Sequence, residues 1–99
     1  DVFVTTRSDF RAQLRRCQRL LEAPGLRELR LHGLGLAVPR TINLALQLQA
    51  AAAPGRLRLH VTTASVPLPP DGDRRRGADG AAARHHSAIH IRVRRLGAA

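Results

Sequence analysis

The sequence lacks lysine, methionine, tryptophan and tyrosine, and its only aromatic residues besides histidine are Phe3 and Phe10. Proteins that lie on membranes usually anchor themselves with aromatic side chains, so this scarcity argues against a membrane surface as partner. No apolar run approaches the roughly 20 residues that cross a bilayer. No signal peptide is recognisable, and a chain that starts at Asp1 is expected to have been trimmed.

Cysteine is nearly absent as well, since Cys17 is the only one. A single cysteine excludes an intrachain disulfide and favours a reducing compartment. Cys17 falls at an apolar helix position, where a thiol is usually an inert space-filler. No carboxylate pair and no nucleophile with a base is recognisable. We therefore expect neither catalysis nor a cofactor nor a small-molecule substrate.

A metal site is also not expected, although the chain has 5 histidines. Zinc sites combine His with Cys or carboxylates at fixed spacings, and no C-x-x-C pair occurs. His85 and His86 are adjacent, so in a strand they point in opposite directions. Protonation of the histidines below about pH 6.5 would add positive charge for binding an anion.

Positive charge is abundant: all 17 basic side chains are arginine, against 7 acids, which gives a net charge of +10. Such a charge predicts a polyanionic partner, most often nucleic acid. Arginine matches phosphate with a planar fork of donors. Because tyrosine and tryptophan are missing, we expect recognition of RNA through backbone and shape rather than through base stacking.

Apolar periodicity divides the chain into six elements. The predicted strands are 2–5, 26–32, 55–66 and 87–96. The predicted helices are about 8–23, capped by Ser8 or Thr6, and about 37–52. Inward positions in the strands are Leu29, Leu31, Leu57, Leu59, Val61, Ile89, Ile91 and Val93. The opposite sheet face would carry Arg56, Arg58, His60, His90, Arg92 and Arg94 and suits solvent or an anion.

This order, β-α-β-α-β-β, predicts a single two-layer α/β domain over 1–99, with two helices on one face of a four-stranded mixed sheet. Residues 67–86 are rich in Pro, Gly, Ala and charge and lack periodicity. They predict a long, flexible, basic hairpin loop between the last two strands.

Three segments resemble the Alba superfamily of nucleic-acid-binding proteins: TTRSDFRAQLRRCQRLL at 5–21, LHGLGLAVPRTINLALQLQ at 31–49 and SAIHIRVRR at 87–95. The resemblance covers about 1–66 and 87–96. It is strongest to the small Alba-like subunit shared by eukaryotic ribonuclease P and ribonuclease MRP.

The resemblance implies a non-catalytic scaffold. Such a subunit pairs with a second, larger Alba-like subunit, and the heterodimer holds a structured domain of the catalytic RNA beside other protein subunits. The parent enzymes process transfer RNA and ribosomal RNA precursors in the nucleus and nucleolus, and in some fungi the pair also joins telomerase RNA. Archaeal Alba proteins carry arginines where this chain has Leu34 and Leu36, and two basic residues where it has Arg7 alone.

The glycines of the central segment invite two interpretations. GLGLAV lacks both the Walker pattern and the dinucleotide fingerprint, so Gly33 and Gly35 predict a turn from strand to helix. A helix start with free N–H groups beside Arg40 could instead hold one phosphate.

The second helix is apolar on too many sides for a helix that packs on one sheet. Ile42, Ala45, Leu46 and Gln49 form one strip, and Leu44, Leu48 and Ala51 form another. The alternatives are a fully covered core helix and a helix that binds a second chain. Arg40, Asn43 and Gln47 form a narrow polar stripe on this helix, which we call the polar seam. The predicted partner interface is Ile42, Asn43, Leu44, Gln47 and Leu48.

The predicted RNA contacts are all arginines: Arg7, Arg11, Arg15, Arg40, Arg74, Arg75, Arg76 and Arg84. For the stripe formed by Arg11, Arg15 and Arg19, the alternative is a solvated helix face. Two other functions remain open, a general Alba-type homodimer on DNA or RNA and a structural protein of a ribosome or telomerase particle.

Overall fold

The computed structural model describes residues 1–67 and 85–96. Its strands are β1 (Val2–Val4), β2 (Glu28–Leu34), β3 (Leu57–Pro67) and β4 (His85–Arg95). Its helices are α1 (Phe10–Glu22) and α2 (Val38–Ala51), and a single 3-10 turn (Gly35–Ala37) precedes α2. The order of elements agrees with the prediction, and so does the two-layer α/β architecture.

The four strands form one mixed sheet in the order β1-β2-β4-β3. β1 runs parallel to β2, whereas β4 is antiparallel to both β2 and β3. Pro67 pairs with His85. Residues 67, 85 and 86 of the predicted loop therefore belong to β3 and β4. The rest of that segment, residues 68–84, lies outside the described residues.

Both helices pack on one sheet face, and a single apolar core fills the space between them. The stripe predicted on α1 is confirmed: Cys17 and Leu21 are buried, and Phe10 and Leu14 pack against them. The expected inward residues of β2 and β4 are buried as well. Val61 is the exception, being 50% exposed, because β3 is an edge strand and runs beyond the cover of the helices.

The cap of α1 is Asp9 rather than Ser8 or Thr6. An Asp9 carboxylate oxygen accepts a hydrogen bond from the Ala12 amide at 3.2 Å. The Ser8 hydroxyl instead accepts from the Thr5 amide at 3.0 Å and closes the turn after β1. Among the described residues, neither helix is long and apolar enough to cross a membrane.

Gly33 sets the distance between β2 and α2. A Cβ atom at this position would overlap the Thr41 hydroxyl and lie 3.0 Å from the Ala37 carbonyl oxygen. Thr41 is fully buried, and its hydroxyl donates to that carbonyl at 2.8 Å. Gly35 then adopts a positive φ of 59°, which turns the chain into the helix. The expected turn from strand to helix is confirmed at Gly35, whereas Gly33 lies within β2, which continues to Leu34.

The Gly33→Ala substitution should destabilise the fold by about 1–3 kcal/mol, because the new methyl group has no space beside Thr41. Urea unfolding of Gly33→Ala, Thr41→Ala and the double variant measures the coupling between the two sites. We expect the double variant to lose less than the sum of the single losses. Gly55→Ala is the comparison for backbone strain alone, because no atom lies within 4 Å of its Cβ position but its φ of 78° is positive, whereas the φ of Gly33 is not. Strict additivity of the Gly33 and Thr41 effects would contradict the close approach.

Candidate nucleic-acid and partner interfaces

The first candidate nucleic-acid surface is the exposed side of α1 and the turn before it. Arg7, Arg11 and Arg15 are all exposed, and none forms an ion pair within the described residues. Arg11 and Arg15 lie one turn apart on the helix, and Arg7 lies in the turn before it. The structure therefore leaves these three predicted RNA contacts available, and their role stays a prediction.

Arg40 has a different environment from the other predicted contacts. It is half-buried, and its guanidinium donates to the Ser8 carbonyl oxygen at 2.5 Å. The guanidinium carbon lies 6.0 Å from the centroid of the Phe10 ring. Arg40 thus ties the start of α2 to the start of α1 through one of its five donors, while its buried Nε has no hydrogen-bond partner among the described residues. Arg74, Arg75, Arg76 and Arg84 lie outside the described residues.

The predicted partner interface on α2 needs correction at two residues. Leu44 is fully buried and Leu48 is 2% exposed, and both belong to the core. Together with Thr41 and Ala45 they form the side of α2 that packs on the sheet. The sequence showed two apolar strips without showing which one meets the sheet. Leu44 and Leu48 of one strip do, joined by Ala45 of the other, while Ala51 is exposed.

The uncovered apolar flank of α2 consists of Ile42 and Leu46, which are 39% and 52% exposed. Gln49 continues this flank, and its side-chain amide donates to the Leu57 carbonyl oxygen of β3 at 3.5 Å. The Arg40 bond to Ser8 places α1 on the other side of α2. The flank therefore faces the β3 edge of the sheet, where Val61 is also exposed. We call Ile42, Leu46 and Val61 the edge patch.

The polar seam is partly present. Asn43 and Gln47 are exposed, and the Gln47 amide donates to the Asn43 side-chain oxygen at 3.4 Å. Arg40 does not join them, since it bonds to Ser8. Leu46 and Val61 are exposed but were not among the predicted interface residues. The spacing of Ile42, Leu46 and Gln49 by four and three residues is the signal that could have found the flank on α2.

The segment that joins β2 to α2 presents leucine rather than arginine to solvent. Leu34 is 46% exposed and Leu36 is 84% exposed. α2 has no side-chain cap, and Pro39 occupies its first turn as expected. A phosphate site at this helix start stays a prediction.

The sheet face that the helices leave uncovered carries a chain of polar contacts. His32 Nε2 lies 2.8 Å from an Asp1 carboxylate oxygen, and His32 Nδ1 lies 2.8 Å from His90 Nδ1. Because a carboxylate only accepts, we assign the His32 proton to Nε2 and the shared proton to His90 Nδ1. Burial, reinforced by the positive charges of the N-terminal amino group and of Arg30, holds the pKa of His32 below its ordinary value despite the neighbouring Asp1 carboxylate.

The single thiol lies away from every candidate surface. Cys17 is fully buried, and burial raises its pKa above the ordinary value despite the neighbouring Arg16. A buried, protonated thiol is a poor nucleophile. Its predicted role as core filler agrees with its place in the apolar cluster.

A comparison with protein families identifies the group to which the chain belongs. Residues 1–95 match the family described as the Rpp20 subunit of nuclear RNase MRP and P. The chain belongs to the Rpp20 family.

Curated relatives agree with this assignment. This Rpp20 family member is 44% identical to the ribonuclease P protein subunit p20 of mouse and of human, over 97% of the chain and 73% of each relative. It is 33% identical to the protein of the same name from Drosophila melanogaster, over 94% of the chain and 56% of that relative. Among solved structures, Alba from Thermoplasma volcanium has a TM-score of 0.62 at 10% identity and covers 94% of this chain and 99% of its own. At that identity the likeness shows an Alba-like fold.

Acidification should lower the folding stability of this Rpp20 family member, because His32 becomes protonated. Its pKa in the folded protein lies below the unfolded value of about 6.5. The stabilisation from neutral His32 is therefore complete above that pH and is lost as the pH falls from 6.5 through the folded pKa. Urea unfolding at pH 7.5 and 5.5 should show a larger loss for the wild type than for His32→Asn. Equal losses in the two proteins would contradict the assignment, since the other histidines are common to both.

Proposed function

We propose that the chain is a non-catalytic, RNA-binding scaffold subunit of ribonuclease P and ribonuclease MRP. It pairs with a second Alba-like subunit, and the pair holds a structured domain of the catalytic RNA during processing of transfer RNA and ribosomal RNA precursors in the nucleus and nucleolus. The observation that carries this proposal is the match of residues 1–95 to the Rpp20 family.

The residues of the chain support a scaffold role. Its net charge of +10 favours association with RNA and predicts an affinity that falls steeply with salt. The thiol of Cys17 is buried and its pKa is raised, so it does not supply a nucleophile. Our proposal leaves cleavage of the precursor to other components of the particle.

The edge patch is the proposed contact with the second subunit. Ile42 and Leu46 project from α2 beside the β3 edge, and Val61 adds apolar surface from the sheet. A patch at an open strand edge can pack its side chains against a partner while the strand edge offers backbone groups for pairing. Asn43 and Gln47, at the rim of the patch, would set the register of the two helices through side-chain hydrogen bonds.

The Leu46→Asp substitution tests this pairing in cells of the source organism. A tagged wild-type chain should co-purify with ribonuclease P RNA and ribonuclease MRP RNA. Leu46→Asp should lose most of this RNA, because a charge in the edge patch opposes burial against the partner. Ala53→Asp is the control, since it adds the same charge at an exposed position between α2 and β3 and should retain the RNA. Recovery of ribosomal RNA alone with the wild type would overturn the proposed function, and full recovery with Leu46→Asp would overturn the interface.

The arginines around α1 are tested by removing three charges together. Arg7→Gln/Arg11→Gln/Arg15→Gln should lower the affinity for a ribonuclease P RNA transcript about tenfold near physiological salt, and the slope of log affinity against log salt should fall by about 2. The control triple, Arg16→Gln/Arg19→Gln/Arg27→Gln, removes equal charge at exposed positions that are not among the predicted contacts. Arg19 continues the α1 stripe, so a contact there would reduce the difference between the two triples and could not create it. Fluorescence anisotropy at several salt concentrations measures both quantities. Equal slopes for the two triples would contradict a specific contact at Arg7, Arg11 and Arg15.

A further inference from the structure

The uncovered face of the sheet concentrates positive charge in register. Three strands place side chains on it in cross-strand rows, namely Glu28–Arg94–Arg58, Arg30–Arg92–His60 and His32–His90–Thr62. We call these nine residues the sheet grid. It holds four arginines and three histidines, and Glu28 is its one acid.

The register makes this arrangement unfavourable for the protein alone. Arg30 lies directly opposite Arg92, and Arg58 lies directly opposite Arg94. Like charges in directly opposed positions destabilise an antiparallel pair. Glu28 accepts a hydrogen bond from Arg30 at 3.1 Å, and within the described residues Arg58, Arg92 and Arg94 form no ion pair. A bound polyanion would remove this repulsion.

The shape and the neighbouring residues suit a phosphate backbone. A depression of about 300 Å³ opens between Arg30, His32, His60, Thr62, His90 and Arg92. Its walls offer the guanidinium donors of Arg30 and Arg92 and the imidazole of His60, which suit phosphate oxygens. The donors of His32, His90 and Thr62 are already bonded to Asp1, His32 and the His90 carbonyl oxygen. Phe3, 67% exposed, stacks on His32 with ring centroids 5.0 Å apart. Its outer ring face gives a base at the rim of the grid a surface to stack on, which favours RNA over an acidic protein.

We propose that the sheet grid is a second RNA-binding surface, which holds the phosphate backbone of an RNA strand. This inference rests on the proposed function, because it assigns a further contact to the same RNA. The grid lies on the opposite side of the sheet from α1 and its arginines, so one RNA reaches both surfaces only by passing around an edge of the sheet. The protein would then be enclosed by its RNA rather than laid against it.

The test compares three full-length variants that each remove three positive charges. They are the grid triple Arg58→Gln/Arg92→Gln/Arg94→Gln, the α1 triple Arg7→Gln/Arg11→Gln/Arg15→Gln and the control triple Arg16→Gln/Arg19→Gln/Arg27→Gln. The probe is a fluorescein-labelled ribonuclease P RNA transcript, titrated at several salt concentrations. We expect the grid triple to bind about tenfold more weakly than the control triple near physiological salt, with a salt slope lower by about 2.

Thermal melting separates loss of a contact from loss of the fold. Since the grid triple removes opposed like charges, its melting temperature at low salt should equal or exceed that of the wild type. A lower melting temperature would overturn the proposed repulsion. If the grid triple and the control triple bind the transcript with equal affinity and equal salt slope, the sheet grid is not a second RNA-binding surface. The α1 contact and the proposed function would still stand.

Two further outcomes are decisive. If the wild type fails to bind the transcript at low salt, the proposed function fails and this inference fails with it. If the grid triple binds RNA like the control triple but loses binding to poly-glutamate, the face serves an acidic protein and the RNA proposal is overturned. If the grid triple and the Phe3→Ala variant both bind RNA more weakly, the results support an RNA-binding surface at the sheet grid with base stacking on Phe3.

Discussion

The close approach of α2 to β2 at Gly33 is the constraint on which the two candidate interfaces depend. With no side chain at Gly33, the Thr41 hydroxyl fits against the strand and caps the Ala37 carbonyl within the helix. This contact fixes the rotation of α2 about its axis. Leu44 and Leu48 therefore enter the core, and Ile42 and Leu46 are left beside the β3 edge. A side chain at position 33 would overlap the Thr41 hydroxyl, so the helix would have to move away from the strand.

Arginine occupies two different environments in this chain. Arg40 and Arg95 hold the fold together: Arg40 bonds to Ser8, and Arg95 donates to the carbonyls of Leu21 and Leu26. Many of the others lie exposed on opposite sides of the sheet, around α1 and on the sheet grid. Composition cannot separate these roles, because a guanidinium satisfies a backbone carbonyl as readily as it satisfies a phosphate oxygen.

The sheet register turns a general positive charge into a specific surface. Alternation along 87–96 already predicted that His90, Arg92 and Arg94 share a face, since the side-chain period of a strand is two. Which residues of the neighbouring strands stand opposite them depends on pairing between distant segments. That pairing brings Arg30 opposite Arg92 and His32 against His90, and neither contact could be predicted from spacing along the chain.

The sequence by itself determined the order of the elements, the inward strand residues at Leu29, Leu31, Ile89, Ile91 and Val93, and the apolar stripe of α1, because these follow from local periodicity. It also carried the family resemblance. The tertiary structure decided which strip of α2 is buried, that Val61 is uncovered, that Asp9 caps α1 and that Arg40 bonds within the fold. Those outcomes depend on which surfaces meet in space, and a helix with two apolar strips has no local property that chooses between them.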